Sequence, residues 1–289
     1  MERKDGYLVL QEVSLKNIIE RDNGKEMPII EIDNQQYYFK ECDEEIALLN
    51  IFCSEIAKSV DIKTVDYDLA IYNNKGIISN NYNQSFDEEV TLLQLLKDYY
   101  IHLVEIDEAQ DIYDFNDLYN LEVIWESLNY RYQDKRIVKK LMDEIIDSFV
   151  LQIFIGNQDL HYKNISIIEA DDPFICPNYD YDRAFLVDFA HSFYPYALEG
   201  FYREKVKTGK KNPEEVIEEI LLSSDNSFRE RFISKFHLLL PKEVLLLSIQ
   251  NKLGIDISNR IPKYYLNKYD SYIENIKEII EALSSSLKM

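Results

Sequence analysis

Glycine is scarce in this chain, with seven in 289 residues. A loop that cradles phosphate on backbone amides draws on several glycines at close spacing, and no such cluster is present. The early turn Asp22-Asn23-Gly24-Lys25 holds a single one. Cysteine is scarcer. Cys42, Cys53 and Cys176 cannot close a disulfide framework and have no metal-ligand spacing, which fits a reducing, cytoplasmic setting. Four scattered histidines give no zinc site. His102 and His237 lie in apolar helical stretches and read as core or boundary residues, and His191 carries no motif. Positive charge is also short. Lys and Arg number 32 against 53 Asp and Glu, for a formal charge of −21, which excludes general nucleic-acid binding because phosphate contacts need cations. No run approaches the roughly eighteen apolar residues of a membrane span. Met1 to Asp5 lead into no long apolar stretch, so no signal peptide is expected. Internal repeats, heptad arrays and low-complexity tails are absent as well.

The remainder, 46% hydrophobic, suits a globular protein with one large core or two modest ones. Strand patterns at Gly6 to Val13, Pro28 to Ile32 and Tyr37 to Lys40 flank a hairpin turn at Asp33-Asn34-Gln35. Glu44 to Val60 reads as a helix with Ile46, Leu49, Phe52, Cys53, Ile56 and Val60 on one face. A second hairpin, Lys63 to Tyr72 and Gly76 to Ser79, turns at Asn73-Asn74-Lys75-Gly76. The polar stretch Asn80 to Ser85 marks a hinge. It divides a strand-rich part, 1–82, from a helical part, 83–289. Helical patterns follow at Val90–Val104, Leu118–Tyr130, Arg136–Ile155, Pro213–Leu222, Ser227–Leu239, Glu243–Leu253 and Ile273–Leu287. The carboxy-terminal ones are expected to pack within the helical part.

The most informative segment is Gly156-Asn157-Gln158-Asp159-Leu160-His161-Tyr162-Lys163-Asn164. It follows the helix pattern of Arg136 to Ile155, which Gly156 is placed to stop by taking a positive φ. It precedes a short strand, Ile165 to Ile168, which ends at Asp171-Asp172-Pro173. A second polar cluster, Asn178-Tyr179-Asp180-Tyr181-Asp182, lies downstream. Phosphoryl transfer needs positioning and charge neutralisation more than covalent chemistry. In protein kinases a loop Asp accepts the substrate hydroxyl proton, an Asn five residues on binds one magnesium, and a later Asp binds the metals. Those roles fall on Asp159, Asn164 and Asp180. A D-x-x-x-x-N match alone more often caps helices or satisfies turns. The flanking helix, strand and second Asp cluster give it weight.

The loop resembles that of HipA-type serine/threonine kinases, N-x-D-x-H-x-K-N. Asn157, Asp159, His161, Lys163 and Asn164 fill its fixed positions. Pro177-Asn178-Tyr179-Asp180-Tyr181-Asp182-Arg183-Ala184-Phe185 is similar to the family's metal-binding segment. The resemblance implies an α+β, two-lobed protein-kinase-like fold, with a small antiparallel β lobe bearing one helix and a mainly helical large lobe. It implies ATP and Mg2+ as cofactors and a serine or threonine hydroxyl as acceptor. It assigns Lys40 to the α/β-phosphates, although a lysine among aromatics also reads as a solvated edge residue. His161 either approaches the γ-phosphate or braces the loop.

The sequence departs from the family in three places. The helix glutamate that should hold Lys40 falls on Asn50, and a shifted helix would offer Glu45 instead. The glycine-rich loop is missing. Asp182 stands where the family often has glycine, and either adds metal binding or pairs with Arg183 or another cation. Arg203, Lys205, Lys207, Lys210 and Lys211 form a basic patch, read as a solvated loop or as a docking surface for an acidic protein substrate. Two other functions compete. Aminoglycoside and choline kinases share the Asp–Asn spacing but in a His-Gly-Asp context, which Asn157-Gln158-Asp159 lacks. A pseudokinase acting as a binding module is motivated by the missing loop and glutamate.

Overall fold

The computed structural model describes residues 3–10, 14–20, 26–83, 87–103, 121–157, 164–178, 180–185 and 226–286. Chain contacts divide into two compact units: 1–85, 177–184 and 236–270 in the first, and 86–176, 185–235 and 271–289 in the second. The first unit therefore takes back two later segments.

The first unit is built on a seven-stranded sheet of order β1-β2-β6-β7-β5-β4-β3. Its strands are β1 (Arg3–Lys4), β2 (Tyr7–Val9), β3 (Ser14–Glu20), β4 (Glu26–Ile32), β5 (Gln35–Glu41), β6 (Tyr67–Tyr72) and β7 (Asn74–Asn80). The β4–β5 turn is the expected one. Asp33 and Asn34 take φ of 51° and 62°, the left-handed pair that a two-residue hairpin needs and that these side chains tolerate. The sheet is not wholly antiparallel, because β2 and β6 pair in parallel. Three strands and a helix separate them in sequence, the length of crossover that parallel pairing requires. One face of the sheet buries Leu10, Ile30, Ile32, Phe39, Ala70 and Ile78.

Helix α1 (Glu44–Ser59) packs against β6 and β7. Ala47 to Cys53, Ile56 and Ala57 are all buried, more than one stripe, because the helix has neighbours on two sides. On the second side lies a helix of Lys242–Leu253, and Phe52 meets Tyr269 edge-on at 5.5 Å. Thus the expected single helix of the strand-rich part has further helical company. Glu44 is tied in as well. It accepts from Arg260 Nε at 2.7 Å and from Tyr7 Oη at 2.8 Å.

Those bonds hold the Glu44 carboxyl below its ordinary 4.5; the Arg260 bond is the main cause, burial opposes it and the Tyr7 bond adds to it. The stability so gained is fully present above 4.5 and is lost as pH falls through the lowered folded value. Glu44→Gln should therefore cost on the order of 1 kcal/mol at neutral pH, screened because the site is part-exposed. Urea midpoints of the two proteins should converge as pH drops below 4.5. A constant gap across that range would refute the linkage.

The second unit has a three-stranded sheet, β8 (Glu89–Thr91), β9 (Ser166–Ile168) and β10 (Phe174–Ile175), in the order β10-β9-β8. Among the described residues its helices are α2 (Leu92–Leu103), α3 (Leu121–Arg131), α4 (Lys135–Ile155) and α5 (Asn226–Phe236). The helix Lys242–Leu253, α6, belongs to the first unit. The last, α7 (Lys263–Ser286), has residues in both. Among the described residues no helix is long and apolar enough to cross a membrane.

Helix α4 is the core of the second unit. The expected face, Val138 through Phe154, is buried, and from Ile145 to Ile155 every residue is buried. Phe154 packs on Phe232 of α5 at 5.3 Å, and Asp147 accepts two bonds from Arg231, at 2.6 and 2.7 Å. The expected stretch Pro213–Leu222 and the basic patch of Arg203 to Lys211 lie outside the described residues.

Candidate functional site

Two of the sequence-derived site residues meet within the first unit. Lys40 sits near the end of β5, which β7 flanks so closely that a Cβ on Gly76 would lie 2.2 Å from the Lys40 carbonyl oxygen. Gly76 thus seats the strand that carries the lysine. Phe39 enters the apolar face of the sheet, so Lys40 takes the opposite face by strand alternation.

Asp180 reaches Lys40 because Asn178, Asp180 and Tyr181 are fastened along residues 63–67 and α1. The Asn178 backbone N–H donates to Lys63 O, and Val65 N–H donates to Asn178 O, both at 3.1 Å. Asn178 Nδ2 adds a bond to Lys63 O at 2.9 Å. The hydroxyls of Thr64 and Tyr181 share a bond at 2.6 Å, and the Tyr181 ring is fully buried. Asp180 itself takes φ of 61°, while its N–H donates to Tyr67 Oη at 3.1 Å. Aspartate accepts this left-handed conformation at modest cost.

The result is a compact charged cluster. Lys40 Nζ donates to Asp180 Oδ1 at 2.8 Å and to Asp182 Oδ2 at 2.7 Å. Both distances are those of charge-assisted bonds. One ammonium against two carboxylates leaves residual negative charge. Hard carboxylate oxygens with spare negative charge are the donor chemistry that suits magnesium, so these residues fit the metal implied by the motif. The partner of Lys40 is neither Glu45 nor absent. Glu45 accepts from Tyr265 Oη at 3.0 Å, and the lysine takes its carboxylates from the 180–182 segment.

Sequence reasoning treated Asn50 only as a missing glutamate. It is fully buried on α1 and donates through Nδ2 to Ile46 O and to Asp182 Oδ1, each at 2.8 Å. Its Oδ1 accepts the Tyr181 N–H at 2.9 Å. Asp182 therefore pairs with Lys40 and Asn50. Nearby, burial pushes the Cys42 thiol up to about 11, with Lys40 opposing and Asp182, Asp43 and Asp180 adding to it.

The segment past β7 is secured too. Asn81 N–H donates to Gln36 O at 2.9 Å and its Nδ2 to Gln36 Oε1 at 2.8 Å, while Tyr82 lies 5.6 Å from the Tyr38 ring.

In the second unit, α4 ends as expected on Gly156 in the left-handed conformation, φ 56°. A Cβ there would lie 2.4 Å from Tyr272 Oη, so both the turn and the packing require glycine. Asn157 is buried just after it, and Asn164 is half-buried in the bend before β9. Asp159, His161 and Lys163 lie outside the described residues, as does the expected turn of Asp22 to Lys25.

No family model and no curated protein matches the chain. Among solved structures, the Helicobacter pylori proinflammatory kinase CtkA is similar over 98% of this chain and 100% of its own, at 15% identity and a TM-score of 0.59. The Shewanella oneidensis MR-1 toxin–antitoxin complex of HipA, HipB and operator DNA gives a match over 96% of this chain and 66% of that one, at 14% identity and a TM-score of 0.48. The chain has an α+β, kinase-like fold in two units.

Proposed function

We propose that the chain is an ATP- and magnesium-dependent phosphotransferase that transfers a phosphoryl group to a serine or threonine hydroxyl of a protein. The observation that carries this reading is the pairing of Lys40 with Asp180, 140 positions apart, in a chain with a kinase-like fold. Lys40 binds the α/β-phosphates, and Asp180 and Asn164 hold the metal. Asp159 accepts the hydroxyl proton, and His161 braces its loop. A metal held there would neutralise charge on the transferring group. The three cysteines, free thiols all, accord with a cytoplasmic setting. The Arg203 to Lys211 patch is the proposed dock for the protein substrate.

The test is incorporation of labelled phosphate from ATP into protein acceptors, with phosphoamino-acid analysis and calorimetric binding of ATP with and without magnesium. Magnesium-dependent binding and phosphoserine or phosphothreonine are expected. Transfer to an aminoglycoside or choline, but not to protein, would shift the acceptor class. A second reading, a pseudokinase binding module, draws on Asn50 in place of a helix glutamate. Calorimetry without any ATP binding would favour that module and overturn the enzyme.

A further inference from the structure

We infer that Asp182, seated by Asn50, is the carboxylate that positions Lys40 for nucleotide, a positioning pair that deepens the phosphotransferase reading and rests on it. In protein kinases the strand lysine is held by a glutamate on the helix that follows it. Here α1 has no carboxylate to give. Glu45 is engaged by Tyr265, Glu44 by Arg260 and Tyr7, and Glu55 by Lys58 and Ser248. At position 50 the helix offers an amide, and the amide grips a carboxylate from another segment.

The division of atoms supports the assignment. Asp182 turns Oδ1 to Asn50 and Oδ2 to Lys40, so one carboxylate bridges helix and strand lysine. Asn50 is fully buried, and its remaining bonds, to Ile46 O and from the Tyr181 N–H, fix its plane. A buried amide with its donors and acceptor engaged is costly to disturb. Asp180 also touches Lys40, but it is the proposed metal ligand. A carboxylate that shares its charge with a dication holds an ammonium less firmly. Asp182 is then the hold that remains. A lysine stem has several free rotors and needs such an anchor to present its charge in one place.

The experiment follows the amine itself. Lys40 acylation by a water-soluble succinimidyl ester is timed by peptide mass spectrometry, with exposed Lys139 of α4 as the internal reference. Wild type is compared with Asn50→Leu, Asp182→Asn and Asp182→Glu, each with and without ATP and magnesium. Asp182→Asn keeps the volume and an acceptor for Asn50, so it tests the charge without emptying the site. Lys40 should react roughly twofold to fivefold faster in Asn50→Leu and Asp182→Asn, the span expected for a part-exposed ion pair. Asp182→Glu should stay near wild type, and Lys139 should not change. Unchanged Lys40 rates in Asp182→Asn, with nucleotide protection of wild-type Lys40 intact, would overturn the positioning pair alone. Absence of nucleotide protection in wild type would overturn the phosphotransferase reading together with this extension of it.

Discussion

Asp159→Ala should lower kcat about 10²- to 10⁴-fold, the usual contribution of a positioned general base, while the KM for ATP stays close to wild type. The asymmetry follows from the role. In its proposed role Asp159 acts on the attacking hydroxyl and not on the nucleotide. Removing it takes away an interaction made in the transition state and leaves ground-state nucleotide binding alone. Steady-state transfer of labelled phosphate, with ATP affinity measured by calorimetry, separates the two quantities. Asp159→Asn is the companion variant, because it keeps the volume and removes the basicity. A comparable loss of ATP affinity in both variants would instead mark Asp159 as a structural residue of the loop. A kcat unchanged in both would remove it from the site.

Where one side of an element faces a core, the sequence was readable. Helix α4 repeats apolar residues at helical spacing, and its expected stop at Gly156 coincides with the left-handed turn. Strand β5 and the Asp33-Asn34 turn were equally plain, since alternation and turn chemistry agree. Strand β3 was not foreseen. Ser14-Leu15-Lys16-Asn17-Ile18-Ile19-Glu20 alternates poorly, and its pairing with β4 shifts register between Leu15 and Asn17, as a bulge does. Val90 was read as helical because α2 follows at once, yet it pairs with Ile167 of β9. Tertiary pairing outweighed local pattern there. The site divides in the same manner. Lys40 was named from the family resemblance and Asp180 from motif spacing, and the two meet in the first unit. The Asn50–Asp182 link was not legible, since 132 positions separate the two and no periodicity connects a helix amide to a distant carboxylate. One signal did exist: an acid at 182 and an amide at 50 are both departures from the family pattern, and paired departures suggest contact.

The second large effect belongs to Asp180. Asp180→Ala should reduce kcat/KM for ATP roughly 100-fold or more, since charge stabilisation by a catalytic metal is worth several kcal/mol and each 1.4 kcal/mol is a factor of ten. Unlike the Asp159 variant, this one should also weaken magnesium-dependent nucleotide binding and raise the magnesium concentration needed for half-maximal rate. The geometry adds a sharper discriminant. Asp180 and Asp182 both hold Lys40, at 2.8 and 2.7 Å, so a simple electrostatic account would have the two substitutions behave alike. If Asp182 is the lysine's anchor and Asp180 the metal's, they diverge. With magnesium present, Asp180→Ala should leave Lys40 reactivity near wild type and shift the magnesium dependence to higher concentration. Asp182→Asn should do the reverse, speeding Lys40 acylation while the magnesium optimum stays in place. A magnesium titration of phosphate transfer, run beside the acylation time course, reads both at once. An unshifted magnesium dependence in Asp180→Ala would hand the metal to Asp182 and exchange the two roles.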